Sequence, residues 1–301
     1  MITILSGGTG TPKLIQGIKN IYDTNKMNII VNTLENDYFS GVYVAADIDT
    51  VIYTLADMIN DETWYGLKND TFITNQELAK LNSPELLRIG DKDRALKIQK
   101  TLLLQEHSLS EAVDIQRRNL NIKAKIIPMS NEKSDIKIDT NEGKLDFHEF
   151  LIAKGSKPEV KNIEFSNVPP APNLIRTIEN SDVVLIGPSN PITSILPIIS
   201  MEGVKEALKN TYVVAISPIV GNIPVSGPAA KFMSALGYEV SSYGVASIYK
   251  EFLNKFIIDN EDKNLKERIE EIIEEVIPTN TMMNSINVKE DLARIALKGF
   301  I

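Results

Sequence analysis

The chain is predicted to be an α/β protein, a mainly parallel sheet covered by helices. Three observations predict this class. Apolar strand-like runs alternate with helical patterns along most of the sequence. Those runs are apolar at consecutive positions, as in strands buried on both faces. A glycine turn in "ILSGGTGTPKLIQGI" (residues 4–18) carries the first run straight into the first helix.

Strands are expected near "ITIL" (2–5), "NIIV" (28–31), "DVVLI" (182–186), "YVVAI" (212–216) and "KFIID" (255–259). Helices are expected at 12–20, 50–59, 203–209, 228–236, 243–254, 263–275 and 287–299. Residues 61 to about 122 read as mostly helical, including 93–105 and 110–120, and 123–168 as short strands with "TNEG" (140–143) as a hairpin turn. "NVPPAPN" (167–173) is a proline-rich joint that returns the chain to the α/β pattern. The organisation is a Rossmann-like three-layer sandwich. Residues 1–60 and 170–301 form its nucleotide-binding core, and 61–169 form an inserted helical and small-strand subdomain.

The 301 residues are 43% hydrophobic and 24% charged, ordinary values for a globular chain with a substantial core. No basic stretch followed by an apolar segment marks a secretion signal, and no apolar run reaches the roughly 20 residues of a membrane span. Cysteine is absent, which excludes disulfides, thiolate metal sites and cysteine nucleophiles and suits a reducing cytoplasm. The two histidines, His107 and His148, are too few for a multi-histidine zinc site. A net charge of −8 argues against non-specific nucleic-acid binding. It leaves a nucleotide open, because backbone N–H groups, a cation and a metal ion suffice for a small phosphate ligand.

Gly7, Gly8 and Gly10 bring bare backbone to a helix N-terminus, where Thr9 and Thr11 add hydroxyls and Lys13 adds a cation. Thr11 is expected to cap the helix and Pro12 to fit its first turn. A P-loop needs Gly-Lys-Ser/Thr where this chain has Pro12-Lys13-Leu14, and the dinucleotide fingerprint needs a glycine where Lys13 stands. A phosphate site and a plain tight turn both fit this stretch.

After the second strand, Glu35, Asp37, Asp47 and Asp49 fall where ligands meet parallel sheets, as magnesium ligands or as helix caps. "WYGLKNDTF" (64–72) groups Trp64, Tyr65, Phe72, Asn69 and Asp70, suited to a flat ring system or to core packing. "RIGDKDRA" (88–95) gathers Arg88, Asp91, Lys92, Asp93 and Arg94 around Gly90. Two proline-stiffened loops, 186–198 and 216–232, offer Ser189, Asn190, Thr193, Ser194 and Ser226 as hydrogen-bonding groups.

Taken in this order, "SGGTGTPKL", "VNT…DIDTVIYTLAD", "WYGLKNDTF", "GDKDRA", "IGPSNPITSI", "SPIVGNIPVSGPA" and "SSYGVASIY" resemble the 2-phospho-L-lactate transferase (CofD-like) family of deazaflavin-coenzyme biosynthesis. The resemblance implies transfer of a phospholactyl group from a guanosine diphosphate carrier to the deazaflavin Fo, giving coenzyme F(420)-0 and GMP. It also implies magnesium as the cofactor and a cytoplasmic enzyme, with a homodimer as the default assembly. Carried over by position, the aspartate of "DIDT" is Asp49 and the basic residue before "GD" is Arg88. Both are expected at the deazaflavin as catalytic or binding groups. Gly7, Gly8, Thr9, Gly10, Thr11, Lys13, Ser189 and Asn190 are the nucleotide and phosphate candidates. Where the family carries acidic residues after "VNT", this chain reads Leu34, Glu35, Asn36 and Asp37, so Asp49 and Asn36 are the expected metal ligands, with Glu35 as the other choice. Asp49→Asn is expected to cost most of the turnover with the fold intact. A regulatory nucleotide-sugar-binding protein of a sister family is the competing expectation, and a nicotinamide-dependent dehydrogenase is third.

Overall fold

The computed structural model describes every residue except Ser226, so that predicted hydrogen-bonding group lies outside the described residues. A seven-stranded sheet occupies the centre. Its strands are β1 (Ile2–Ser6), β2 (Met27–Val31), β3 (Lys125–Pro128), β4 (Val183–Ile186), β5 (Val213–Ile216), β6 (Lys255–Asp259) and β7 (Glu275–Thr279). They lie in the order β7-β6-β5-β4-β1-β2-β3, and every neighbouring pair is parallel.

Alternation along the strands divides the apolar side chains between two cores. Leu5, Ile30, Val184, Ile186, Ala215 and Phe256 face one, and Ile4, Ile29, Val31, Leu185, Val214 and Ile257 face the other. Helices α1 (Gly10–Ile21) and α2 (Ala46–Leu55) and the C-terminal helix Ile286–Ala296 contribute to the second core. The layered α/β class read from the sequence is therefore the observed one. A Cβ on Gly17 would come within 2.5 Å of the Lys289 carbonyl carbon, so glycine permits the close crossing of α1 and the C-terminal helix.

Two sheet strands differ from expectation. Residues 263–275 form a 3-10 turn, Asn260–Leu265, and a short helix, Lys266–Glu270, and the chain then becomes strand β7. The charged run reads as helix up to Glu275, but pairing with β6 prevails there, and Pro278 is tolerated because β7 is an edge strand. Strand β3 lies inside 61–169 and pairs with β2, so that stretch supplies one edge of the central sheet.

Before β3 come α3 (Ile73–Lys80), α4 (Asp91–Leu103) and α5 (Leu109–Asn119), the last opened by a Ser108–Glu111 capping box. After it, strands Ile136–Thr140, Gly143–Asp146 and Val160–Phe165 form a small antiparallel sheet. "TNEG" closes its hairpin, with Gly143 at φ 114°. No helix among the described residues is long and apolar enough to cross a membrane.

Candidate functional site

The glycine turn owes its shape to close approach. Gly7, Gly8 and Gly10 all lack positive φ. A Cβ on Gly7 would reach 2.6 Å from the Ser194 side chain, one on Gly8 would overlap the Asp47 carboxylate, and one on Gly10 would overlap the Pro188 carbonyl oxygen. The Gly7 N–H donates to Ser189 Oγ at 3.1 Å, and the Ser189 and Thr11 hydroxyls bond at 2.7 Å. Thr11 therefore ties the turn to the 187–194 loop and does not cap α1. Thr9 holds the N-cap position without a side-chain cap bond.

Two cavities meet at Thr9 and Gly10. One, of about 180 Å³, is lined by Gly8, Glu35, Asp47, Ser189, Asn190 and Thr193 among others. The other, of about 200 Å³, is lined by Lys13, Pro188, Ser217 and residues 281–284. Asn190 lines the first cavity but spends its side-chain oxygen on the Ile192 and Thr193 N–H groups, at 3.0 and 3.3 Å.

The acidic group facing the turn is Asp47 with Glu35. Burial pushes the Asp47 carboxyl up to about 6, although Asn32 Nδ2 donates to it at 3.0 Å. Glu35 is pushed well above the carboxylate range by burial and then by Asp47. Burial favours the protonated form of both carboxyls, and once ionised they offer hard oxygen donors of the kind magnesium takes.

Asp49 lies elsewhere. Residues two apart on a helix face different directions, and α2 turns Asp49 toward α4. There Lys97 Nζ donates to it at 2.8 Å, and the fully buried Lys100 pairs with its other oxygen. Burial pushes the Asp49 carboxyl up, but Lys100 and Lys97 together hold it below the usual range. An aspartate held by two ammonium groups is a poor magnesium ligand, and it lines neither cavity at the turn. Asn36 is buried, its amide atoms with no hydrogen bond of good geometry among the described residues, and it borders a separate groove beside Asp37, Phe39 and His148. Among the described residues no direct hydrogen bond joins Asn36 to Asp49.

Arg88 lines a third cavity, of about 290 Å³, with Tyr65, Asn69, Asp70, Phe72 and Asp93. Its guanidinium stacks 3.9 Å from the Phe72 ring centroid. The two motifs carrying these residues interlock at Asp70 and Asp91. Asp70 accepts the Lys92 and Asp93 N–H groups at 2.8 and 3.0 Å, and Asp91 accepts those of Ile73 and Thr74 at 2.9 and 3.0 Å. Asp49 sits behind this cavity, because Lys97 also donates to Asp93 at 2.7 Å.

Two supporting carboxylates were not singled out from the sequence. Asp262 Oδ1 accepts the Gly221 N–H at 3.0 Å, and its Oδ2 accepts the Ser242 hydroxyl, which in turn bonds Ser217 at 2.9 Å. Asp259 accepts the Thr281 N–H and hydroxyl at 2.8 and 2.9 Å. Both follow from the end of β6, and each holds one wall of the Lys13 cavity.

The family described as "2-phospho-L-lactate transferase CofD" matches residues 2–296. A protein of Methanothermobacter thermautotrophicus named 2-phospho-L-lactate transferase is 57% identical over 99% of this chain and 97% of its own length. One of Methanocaldococcus jannaschii with the same name is 49% identical over 98% and 96%. Among solved structures, a UPF0052-family protein from Bacillus halodurans matches with a TM-score of 0.68 over 99% of this chain and 98% of that one. At 15% identity, that likeness shows the shared fold. The segments that shape the glycine turn and the Arg88 cavity fall within the matched residues, and the chain belongs to the 2-phospho-L-lactate transferase CofD family of enzymes.

Proposed function

We propose that the enzyme moves a 2-phospholactyl group from lactyl-(2)-diphospho-(5')-guanosine to the terminal ribityl hydroxyl of Fo (7,8-didemethyl-8-hydroxy-5-deazariboflavin), giving coenzyme F(420)-0 and GMP. The hydroxyl oxygen attacks the lactyl-bearing phosphorus and loses its proton. The P–O bond to the GMP phosphate breaks, and GMP leaves.

The observation that carries this reading is the glycine turn set between two cavities, with Lys13 in one and the Glu35–Asp47 pair in the other. Phosphoryl transfer needs positioning and charge neutralisation more than a protein nucleophile. In this reading the diphosphate lies along Gly7, Gly8, Thr9 and Gly10, and the guanosine enters the Lys13 cavity. Fo occupies the Arg88 cavity, against Phe72 and Tyr65. Glu35 and Asp47 would hold magnesium in place of the expected Asp49 and Asn36, and the ion would neutralise phosphate charge. Release of GMP that requires Fo tests the transfer. The Arg88 cavity favours this role over nucleotide-sugar binding without turnover.

Two further results are expected. Arg88→Ala raises the KM for Fo about tenfold with the donor KM little changed, the scale of a lost charged contact; steady-state kinetics varying each substrate checks it, and equal changes in both contradict it. The second concerns pH. Magnesium would bind the ionised Glu35–Asp47 pair, and burial raises both carboxyls, Asp47 to about 6 and Glu35 well above the ordinary carboxylate range. Magnesium is therefore expected to raise the melting temperature more at higher pH, and its effect to fade as pH falls through the raised range of the pair, in which Asp47 lies at about 6. Without the ion the sign reverses. These raised carboxyls take up protons in the folded state, so the pair's own contribution to stability grows as pH falls from above 6 toward the unfolded carboxylate range. Thermal melts with and without magnesium check both.

A further inference from the structure

Trp64 is the only tryptophan in the chain, and its backbone has a positive φ of 55°. Its indole carries two ammonium groups, Lys289 Nζ at 4.7 Å and Lys13 Nζ at 5.3 Å from the ring centroid. Neither lysine forms an ion pair among the described residues. Lys289 Nζ donates instead to the neutral Gln16 Oε1 at 2.6 Å. Burial holds both ammonium groups below the ordinary lysine range. Lys13 lowers Lys289 further, and Asp61 offsets this only in part.

Two like charges gathered on one ring repel each other, and the ring quadrupole repays only part of that. The close crossing at Gly17 fixes the Lys289 backbone against α1, so the pair is built into the helix packing. Lys13 reaches the cavity that begins at Thr9 and Gly10, where an anion would complete the arrangement.

We infer that Lys13, Trp64 and Lys289 form one cationic unit for the diphosphate of a nucleoside diphosphate ligand, with Lys13 in contact and Lys289 and Trp64 as its positioning residues. This rests on the reading that the glycine turn holds the donor's diphosphate. Lys289 adds charge to the site without touching the ligand. Trp64 seats both ammonium groups on one ring. Tyr65, the next residue, lines the Arg88 cavity, so the same loop borders both substrates.

The single indole supplies the readout. Titration of the wild type with GDP or inorganic pyrophosphate is expected to change Trp64 emission, and guanosine to change it far less. Lys289→Met is expected to weaken GDP and pyrophosphate about fivefold, the scale of one charge at partly screened distance, and to leave guanosine affinity unchanged. Lys289→Arg restores GDP affinity. Trp64→Leu, followed by calorimetry, weakens GDP as Lys289→Met does, which keeps the inference testable if one variant fails to fold. GDP bound equally by wild type and Lys289→Met overturns the inference and leaves the nucleotide reading standing. Parallel loss of guanosine and GDP affinity indicates a purely structural lysine and also overturns it. A wild type that binds no GDP overturns the nucleotide reading itself.

Discussion

Gly10→Ala is expected to lower kcat/KM by about 100-fold, the scale of a displacement near 1 Å at a reacting group. The added Cβ falls on the Pro188 carbonyl oxygen, which is backbone and cannot rotate away. The turn and the 187–194 loop must separate, although Ser189 bonds both Gly7 and Thr11 across that contact. Since both cavities begin at Gly10, binding and orientation fail together. Gly8→Ala meets the Asp47 side chain instead, which can turn, so its effect falls mainly on the acidic pair. Steady-state kinetics beside a thermal melt checks this, and near-normal activity of Gly10→Ala contradicts it.

Asp49→Asn is expected to destabilise the fold by about 3–5 kcal/mol, the usual cost of breaking a buried ion pair on one side. This reverses the expectation that the substitution leaves the fold intact. Lys97 keeps Asp93 at 2.7 Å, but Lys100, with no exposed surface, loses its carboxylate. An unpaired ammonium in that setting must shed its proton or admit water. Activity is lost as well, because Asp93 lines the Arg88 cavity and is held by Lys97, which Asp49 also holds. Urea denaturation of the variant measures the first effect, and an unchanged midpoint contradicts it.

The five inner strands were legible because consecutive apolar residues leave few other places for them. Of the edge strands, Lys125–Pro128 falls in the stretch read as short strands, but its place in the central sheet was not legible, and Glu275–Thr279 was not read as a strand. Lys125–Pro128 has an exposed end, and Glu275–Thr279 follows a charged run whose spacing suits a helix. The glycine turn was legible as a backbone feature, and Arg88 and Phe72 as members of two motifs that do meet. The choice between Asp47 and Asp49 depends on how α2 is rotated about its axis. That rotation is set by lysines on α4 about 50 residues away, which no local pattern reveals. Asp259 and Asp262 escaped notice because each resembles an ordinary residue at the start of a turn.

The central claim is the transfer itself. Mass spectrometry of the protein incubated with Fo and lactyl-(2)-diphospho-(5')-guanosine, with and without magnesium, tests it most directly. Appearance of coenzyme F(420)-0 and GMP in equal amounts, only with the metal, is the predicted result. Folded, metal-replete protein that leaves both substrates unchanged would contradict it.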